Sequence, residues 1–374
     1  MIFVLAALIA AFVVTLFVVR RTLASSLAAL PPGTRLTVWT RARNLRGWGR
    51  AGGLGVAAGL VASNILRLFD HPAIAERGLL LAAAAIPVFV AGVCDDFTQK
   101  VRPAIRLSAA LVSAALATFL LQTWVIRIDV PWADALLGSP WLAIGFSCFL
   151  VAGLVNAFNI IDGFNGLAGG VASIILTGIA YVAFKVGDLV VLTSALTAIG
   201  AIAGFLLLNF PRGLIYLGDG GAYLIGFWIG ELLILLVTRN PQVSAWFPAL
   251  LCAYPVCEMT FSIYRRAFVR RSHPGAPDFA HLHHLIYRRL VRWLVGPLAL
   301  HHYERGNAMT SPYLWVITSL AVGPAVVFWR HTEVLQLGCL AFAAAYVYAY
   351  VRIVRYRSPH RRPWRRSPLS EDRE

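Results

Sequence analysis

Residues 78–100 read GLLLAAAAIPVFVAGVCDDFTQK. A helix-length apolar run carries straight into Asp95 and Asp96, then into Lys100. Ionisable residues are costly at membrane depth, so acids at the end of such a run mark a functional site. The rest of the chain has the same character, with 59% hydrophobic residues, 13% charged residues and a mean hydropathy of +0.72. Those values exclude an ordinary soluble domain and point to an all-α polytopic membrane protein.

Eleven spans are expected, near 2–19, 51–66, 78–94, 104–124, 141–158, 167–184, 189–208, 221–237, 246–264, 312–329 and 334–351. The first has no basic residues before its apolar core, and Arg20 and Arg21 follow it, which suits a membrane anchor better than a secretory leader. An odd count places the termini on opposite sides. With the N-terminus periplasmic and the C-terminus cytoplasmic, 27 of the 33 basic residues fall inside, as the positive-inside rule requires. The net charge of +16 therefore reflects topology and anionic lipid, not nucleic acid. The expected organisation is one transmembrane catalytic domain over 1–351, with cytoplasmic loops at 20–50, 95–103, 159–166, 209–220 and 265–311, then a basic tail over 352–374. The five cysteines lie in apolar runs without a CxxC pair, which argues against disulfides and zinc.

In this topology four polar clusters share the cytoplasmic side. Asp95 and Asp96, about 100° apart on a helix, can divide labour between proton transfer and contact with a cation or ligand. Asn156, Asn159 and Asp162 repeat every three residues and share about a 120° arc, followed by Gly163, Asn165 and Gly166. Such oxygen ligands suit magnesium. Tyr216-Leu217-Gly218-Asp219-Gly220-Gly221 places an acid among glycine amides at a helix start, which suits a magnesium-bound diphosphate. Arg265, Arg266, Arg270, Arg271, His281, His283 and His284 form a loop able to clamp phosphates, and residues 286–300 with Trp293 read as an interfacial helix.

In this order, the clusters resemble the polyprenyl-phosphate N-acetylhexosamine-1-phosphate transferase family over about residues 45–290, and most closely its bacterial O-antigen and enterobacterial-antigen branch. The resemblance implies transfer of a HexNAc-1-phosphate, GlcNAc-1-phosphate first among the choices, from a UDP-sugar to undecaprenyl phosphate with release of UMP. It implies a place at the bacterial inner membrane, the first membrane step of O-antigen or other envelope-glycan synthesis, Mg2+ (or Mn2+) as cofactor, and a homodimer. Carried over by position, Asp219 is the principal magnesium ligand with Asn159 as companion, and Asp95, Asp96 and Asp162 are the catalytic acids. Asn156, Asn165, Tyr216, Lys100, Arg271, His281, His283, His284 and Arg50 are the expected substrate contacts. Two departures stand out: Asn165 where bacterial members have aspartate, and Arg46-Gly47-Trp48-Gly49-Arg50-Ala51-Gly52-Gly53 where the family has Pro-Thr-Pro-Arg-Gly-Gly. UDP-linked GalNAc, FucNAc or QuiNAc are alternative donors. A cation-coupled transporter is the alternative from another class, and it would want its acids near the bilayer midplane.

Overall fold

The computed structural model describes residues 1–28, 47–269, 280–291 and 303–355. It is all-helical, with no strand among the described residues. In chain order the helices are α1 (Ile2–Ala28), α2 (Gly53–Arg67), α3 (Pro72–Ala84), α4 (Ile86–Thr98), α5 (Pro103–Leu121), α6 (Pro131–Leu137), α7 (Pro140–Ile161) and α8 (Leu167–Val186). There follow α9 (Leu189–Asn209), α10 (Gly218–Arg239), α11 (Phe247–Leu251), α12 (Ala253–Tyr264), α13 (Leu282–Ile286), α14 (Tyr303–Val327) and α15 (Thr332–Arg355). Several starts are written in the sequence. Pro72, Pro103, Pro131 and Pro140 each open a helix, where a missing N–H costs nothing. Asp188 caps α9 by accepting from the Val191 N–H.

Each of the eleven expected segments is helical, but the count of eleven spans is not met. Among the described residues eight helices are long and apolar enough to cross a bilayer, and α3 with α4 makes a ninth if the bent pair is one span. The expected straight helix over 78–94 breaks at Ala85 with a 45° bend. Pro87 is the physical reason, since its ring and missing N–H disrupt the preceding turn. The segment at 51–66 forms α2, whose 15 residues give only roughly 22 Å of helix. The segment at 246–264 is split at Cys252 into α11 and α12. Helix α14 starts at Tyr303, inside the expected 265–311 loop.

Helix α10 is the axis of the bundle, with almost every residue buried. Helices α4 and α7 pack along it, and α1, α2 and α9 form a second layer beside α8 and α14. At its N-terminal end α10 comes unusually close to α4. A Cβ on Gly92 would stand 2.5 Å from the Gly220 Cα, so only glycine allows this approach. That contact sets the acids of one helix against the backbone of the other.

Candidate active site

The site is built at one end of the bundle, where α4 and α7 end and α2, α5 and α10 begin. Asp96 is almost completely buried, and its Oδ1 and Oδ2 accept the Asp219 and Gly220 N–H groups at 2.9 and 3.0 Å. These are first-turn amides of α10, which have no partner in their own helix. The residue before them, Gly218, adopts φ +77° and lies under the Arg50 carbonyl, where a side chain could not fit.

Arg50 reaches this corner because its loop is stitched to the start of α10. Tyr216 N–H donates to the Gly49 carbonyl at 2.9 Å, and Gly52 and Gly53 N–H donate to the Tyr216 and Leu217 carbonyls at 3.0 and 2.9 Å. Its guanidinium bridges Asp96 Oδ1 at 3.2 Å and Asp219 Oδ1 at 2.8 Å. Arg106, from the first turn of α5, spans Asp95 Oδ2 at 2.9 Å and Asp219 Oδ2 at 3.3 Å. Asp95 Oδ1 also accepts the Val101 N–H at 3.0 Å. Although desolvation works against it, the Arg50 guanidinium is held above its ordinary range by Asp219 and Asp96.

Asp162 ends α7 beside these groups. Burial, then the neighbouring Asp219 charge, push its carboxyl up to about 8. Asn156 and Asn159 are half-buried on the last turns of α7, and Asn156 Nδ2 donates back to the Ala152 carbonyl at 2.8 Å. Three carboxylates and the raised Asp162 carboxyl thus face two guanidiniums, leaving an excess of negative charge. Among the described residues no three His, Cys, Asp or Glu side chains form a metal cage by themselves. Magnesium needs none, since it commonly takes one or two carboxylates and completes its shell with water and substrate phosphate. The hard-oxygen donors and the negative excess fit that ion.

The histidines approach from the other side of the α7–α8 turn. His283 is fully buried, and a Cβ on Gly163 would stand 2.9 Å from its Nε2. Phe164 packs edge-on to His283 and His284, with ring centroids 5.3 and 5.6 Å away. Among the described residues neither ring nitrogen of His283 has a hydrogen-bond partner. Burial, with His284 and His281 alongside, keeps this imidazole well below its usual range and so neutral.

Asn165 occupies a different setting. Its N–H donates to Asn307 Oδ1 at 2.8 Å, its carbonyl accepts from Ser311 Oγ at 2.6 Å, and the residue is buried where α14 meets the α7–α8 turn. Those contacts tie helices together. Lys100 is exposed beyond the end of α4, and Tyr216 is half-buried in the stitched loop. Arg271 and Trp293 lie outside the described residues. Two residues carry more of this geometry than the sequence suggested. Arg106 is, with Lys100 and Arg102, one of three basic residues that follow the aspartate pair. Glu258, at the foot of the histidine segment, was overlooked, although a lone acid within an apolar helix is itself a signal.

This arrangement can be set beside known proteins. Residues 78–237, which run from the bent α3–α4 pair through α10, match the family described as glycosyl transferase family 4. Over those residues the chain is similar to that family. The match holds Asp95, Asp96, Arg106, Asp162 and Asp219, but neither Arg50 nor the histidines. Among similar curated proteins, one of Bacillus subtilis named as a probable undecaprenyl-phosphate N-acetylglucosaminyl 1-phosphate transferase is 30% identical over 246 residues. That alignment covers 63% of this chain and 64% of the relative. Undecaprenyl-phosphate alpha-N-acetylglucosaminyl 1-phosphate transferases of Yersinia pestis and Thermotoga maritima are 29% and 27% identical, over 63% and 56% of this chain and 65% and 62% of their own lengths. The chain therefore spans somewhat less than two thirds of the length of the curated relatives it matches.

Proposed function

We propose that this protein transfers a HexNAc-1-phosphate, most readily GlcNAc-1-phosphate, from a UDP-sugar to undecaprenyl phosphate and releases UMP. The reading places the site at the cytoplasmic face of the bacterial inner membrane, as the first membrane step of O-antigen or another envelope glycan. One observation carries it: acids from three helix ends converge at one end of the bundle, those of α4 and α10 cross-linked by Arg50 and Arg106. The names of the relatives support the choice of acceptor and sugar.

The chemical task is to bring a phosphate monoester against a diphosphate. Magnesium, held by Asp219 and Asn159, would offset that repulsion and stabilise the charge leaving with UMP. Arg50 and Arg106 have the fork geometry for phosphate as well as carboxylate, so they pass from the acids to the incoming phosphates. The aspartate pair divides its labour. Asp96 has both oxygens committed to backbone amides and holds α4 on α10. Asp95 is the more accessible and receives any proton that the acceptor phosphate still carries. With a second phosphate pKa near 6, little such help is needed at neutral pH. The lipid phosphate then attacks the sugar-bearing phosphorus directly.

The test is purified protein with undecaprenyl phosphate, Mg2+ and a panel of UDP-HexNAc donors, reading UMP and the lipid product. UMP release that needs both lipid and metal is expected, with UDP-GlcNAc the best donor. A different best donor would reassign the sugar, and cation uptake into vesicles without UMP release would favour a transporter.

A further inference from the structure

Helix α13 is five residues long, too short to hold itself by internal hydrogen bonds. It is held instead from α12 and α15. Glu258, on α12 and almost fully buried, accepts from His281 Nδ1 at 3.1 Å and the Leu282 N–H at 2.8 Å on one oxygen. Its other oxygen accepts from the Tyr346 hydroxyl at 2.9 Å. Just before the histidines, the Ala280 carbonyl accepts from Arg265 at 2.9 Å and from the Tyr350 hydroxyl at 3.0 Å. Tyr346 and Tyr350, four residues apart, stand on one face of α15.

A buried carboxylate is an expensive way to pack a helix, and apolar residues of similar volume often serve stability as well. What a carboxylate adds is direction. It can only accept, so His281 Nδ1 must carry a proton. The His281 ring is then parallel to His283, with 3° between planes and centroids 5.4 Å apart. His283 in turn backs onto Gly163, the residue after Asp162. The path from Glu258 to the carboxylate cluster is thus two stacked rings and one turn.

We propose that Glu258 is a positioning residue for the donor, fixing the tautomer and plane of His281 so that His281 and His283 meet the UDP-sugar in one arrangement. This rests on the transferase reading above. The histidines divide accordingly: His281 is anchored, while the buried His283, whose ring nitrogens have no hydrogen-bond partner among the described residues, is left for the ligand.

Three variants test it: Glu258→Gln, Tyr346→Phe and, as a matched buried acid on α10, Glu231→Gln. The readouts are the 15N-histidine spectrum without substrate and the KM values for UDP-GlcNAc and for undecaprenyl phosphate. E258Q should replace the Nδ1–H signal of His281 by a tautomer mixture and raise donor KM about tenfold, the worth of one charged hydrogen bond. Acceptor KM should stay within about twofold of wild type. Y346F, which spares His281, should raise donor KM only about two- to threefold, and it keeps the test alive if E258Q fails to fold. E231Q should move neither readout. A donor KM unchanged in E258Q and Y346F, with only thermal stability lost, would reduce Glu258 to packing and overturn the proposal. If wild type releases no UMP from any donor, the transferase reading fails by itself. Calorimetric binding of UDP to wild type and E258Q then decides this one, with equal affinity, or no binding to either, overturning it.

Discussion

The two ends of the bundle use the same residue types to opposite effect. At the end away from the site, Asp129 meets Arg127, the Ala245 N–H at 2.8 Å and the hydroxyls of Ser244 and Thr332 at 3.2 Å each. Arg127 also donates to the Pro241 and Val243 carbonyls at 2.8 and 2.7 Å. Asp188 likewise caps α9 and pairs with Arg239 at 3.0 Å. There, Asp129 and Asp188 each have an arginine and further donors, so these charges cancel and the loops are locked. At the site end Asp95, Asp96 and Asp219 share two arginines with Asp162 beside them, and on the proposed reading a cation and phosphates complete the balance. Placing Arg next to Asp makes a staple when the charges balance and a binding site when they do not.

If that contrast is right, charge removal should cost activity at one end and stability at the other. The largest effect is expected from Asp219→Asn, which should lower kcat/KM for UMP release by about 10³-fold or more with little change in thermal midpoint, checked by the coupled assay and by calorimetry. Next, Arg106→Gln should cost about 10²-fold in kcat/KM, while Mg2+ affinity measured by titration rises because a competing cation has gone. At the other end Asp129→Asn should do the reverse. It should lower stability by about 2 kcal/mol in denaturant unfolding and leave KM values alone. Although burial opposes it, the Ala245 amide and Arg127 hold the Asp129 carboxyl below its ordinary range. That stabilisation is present above the unfolded pKa and is lost as pH falls through the lower folded value, so it should vanish only in strong acid.

A smaller effect should appear in pH titrations of metal binding. In the metal-free protein the Asp162 carboxyl is raised to about 8, so it is largely protonated at neutral pH. A cation bound beside it favours the ionised form, so Mg2+ affinity should rise between about pH 7 and 9 by up to about tenfold. Asp162→Asn should flatten that rise. If the rise survived, Asp162 would lie too far from the metal to matter.

What could be read without the structure follows the same contrast. Asp95, Asp96, Asp162 and Asp219 stand out because each is a charge at the edge of an apolar run, and glycines on either side of Asp219 signal a close approach of backbones. The bend at Pro87 was also written in the chain, yet the continuous apolar pattern on both sides masked it. Glu258 obeys the rule that revealed the aspartates, but it has no polar neighbour in sequence. Its partners His281 and Tyr346 are 23 and 88 positions away. Arg50 could be carried over only as a member of an atypical loop, because what aims it is a set of backbone hydrogen bonds to residues 216 and 217. Asn165 stands in the expected motif, and it is its backbone N–H and carbonyl, not its side chain, that Asn307 and Ser311 hold, from a helix expected to begin only at 312.

The tyrosines of α15 have a consequence for biogenesis. They are the last elements to be synthesised among those that touch the histidine segment, and they lie on a helix that must itself enter the bilayer. A nascent chain halted before residue 346 would already hold every acid and arginine of the site, but not the hydroxyls that complete the grip on Glu258 and Ala280. Insertion of the final helix thus completes the hold on the histidine segment only after every acid and arginine of the site has already been made.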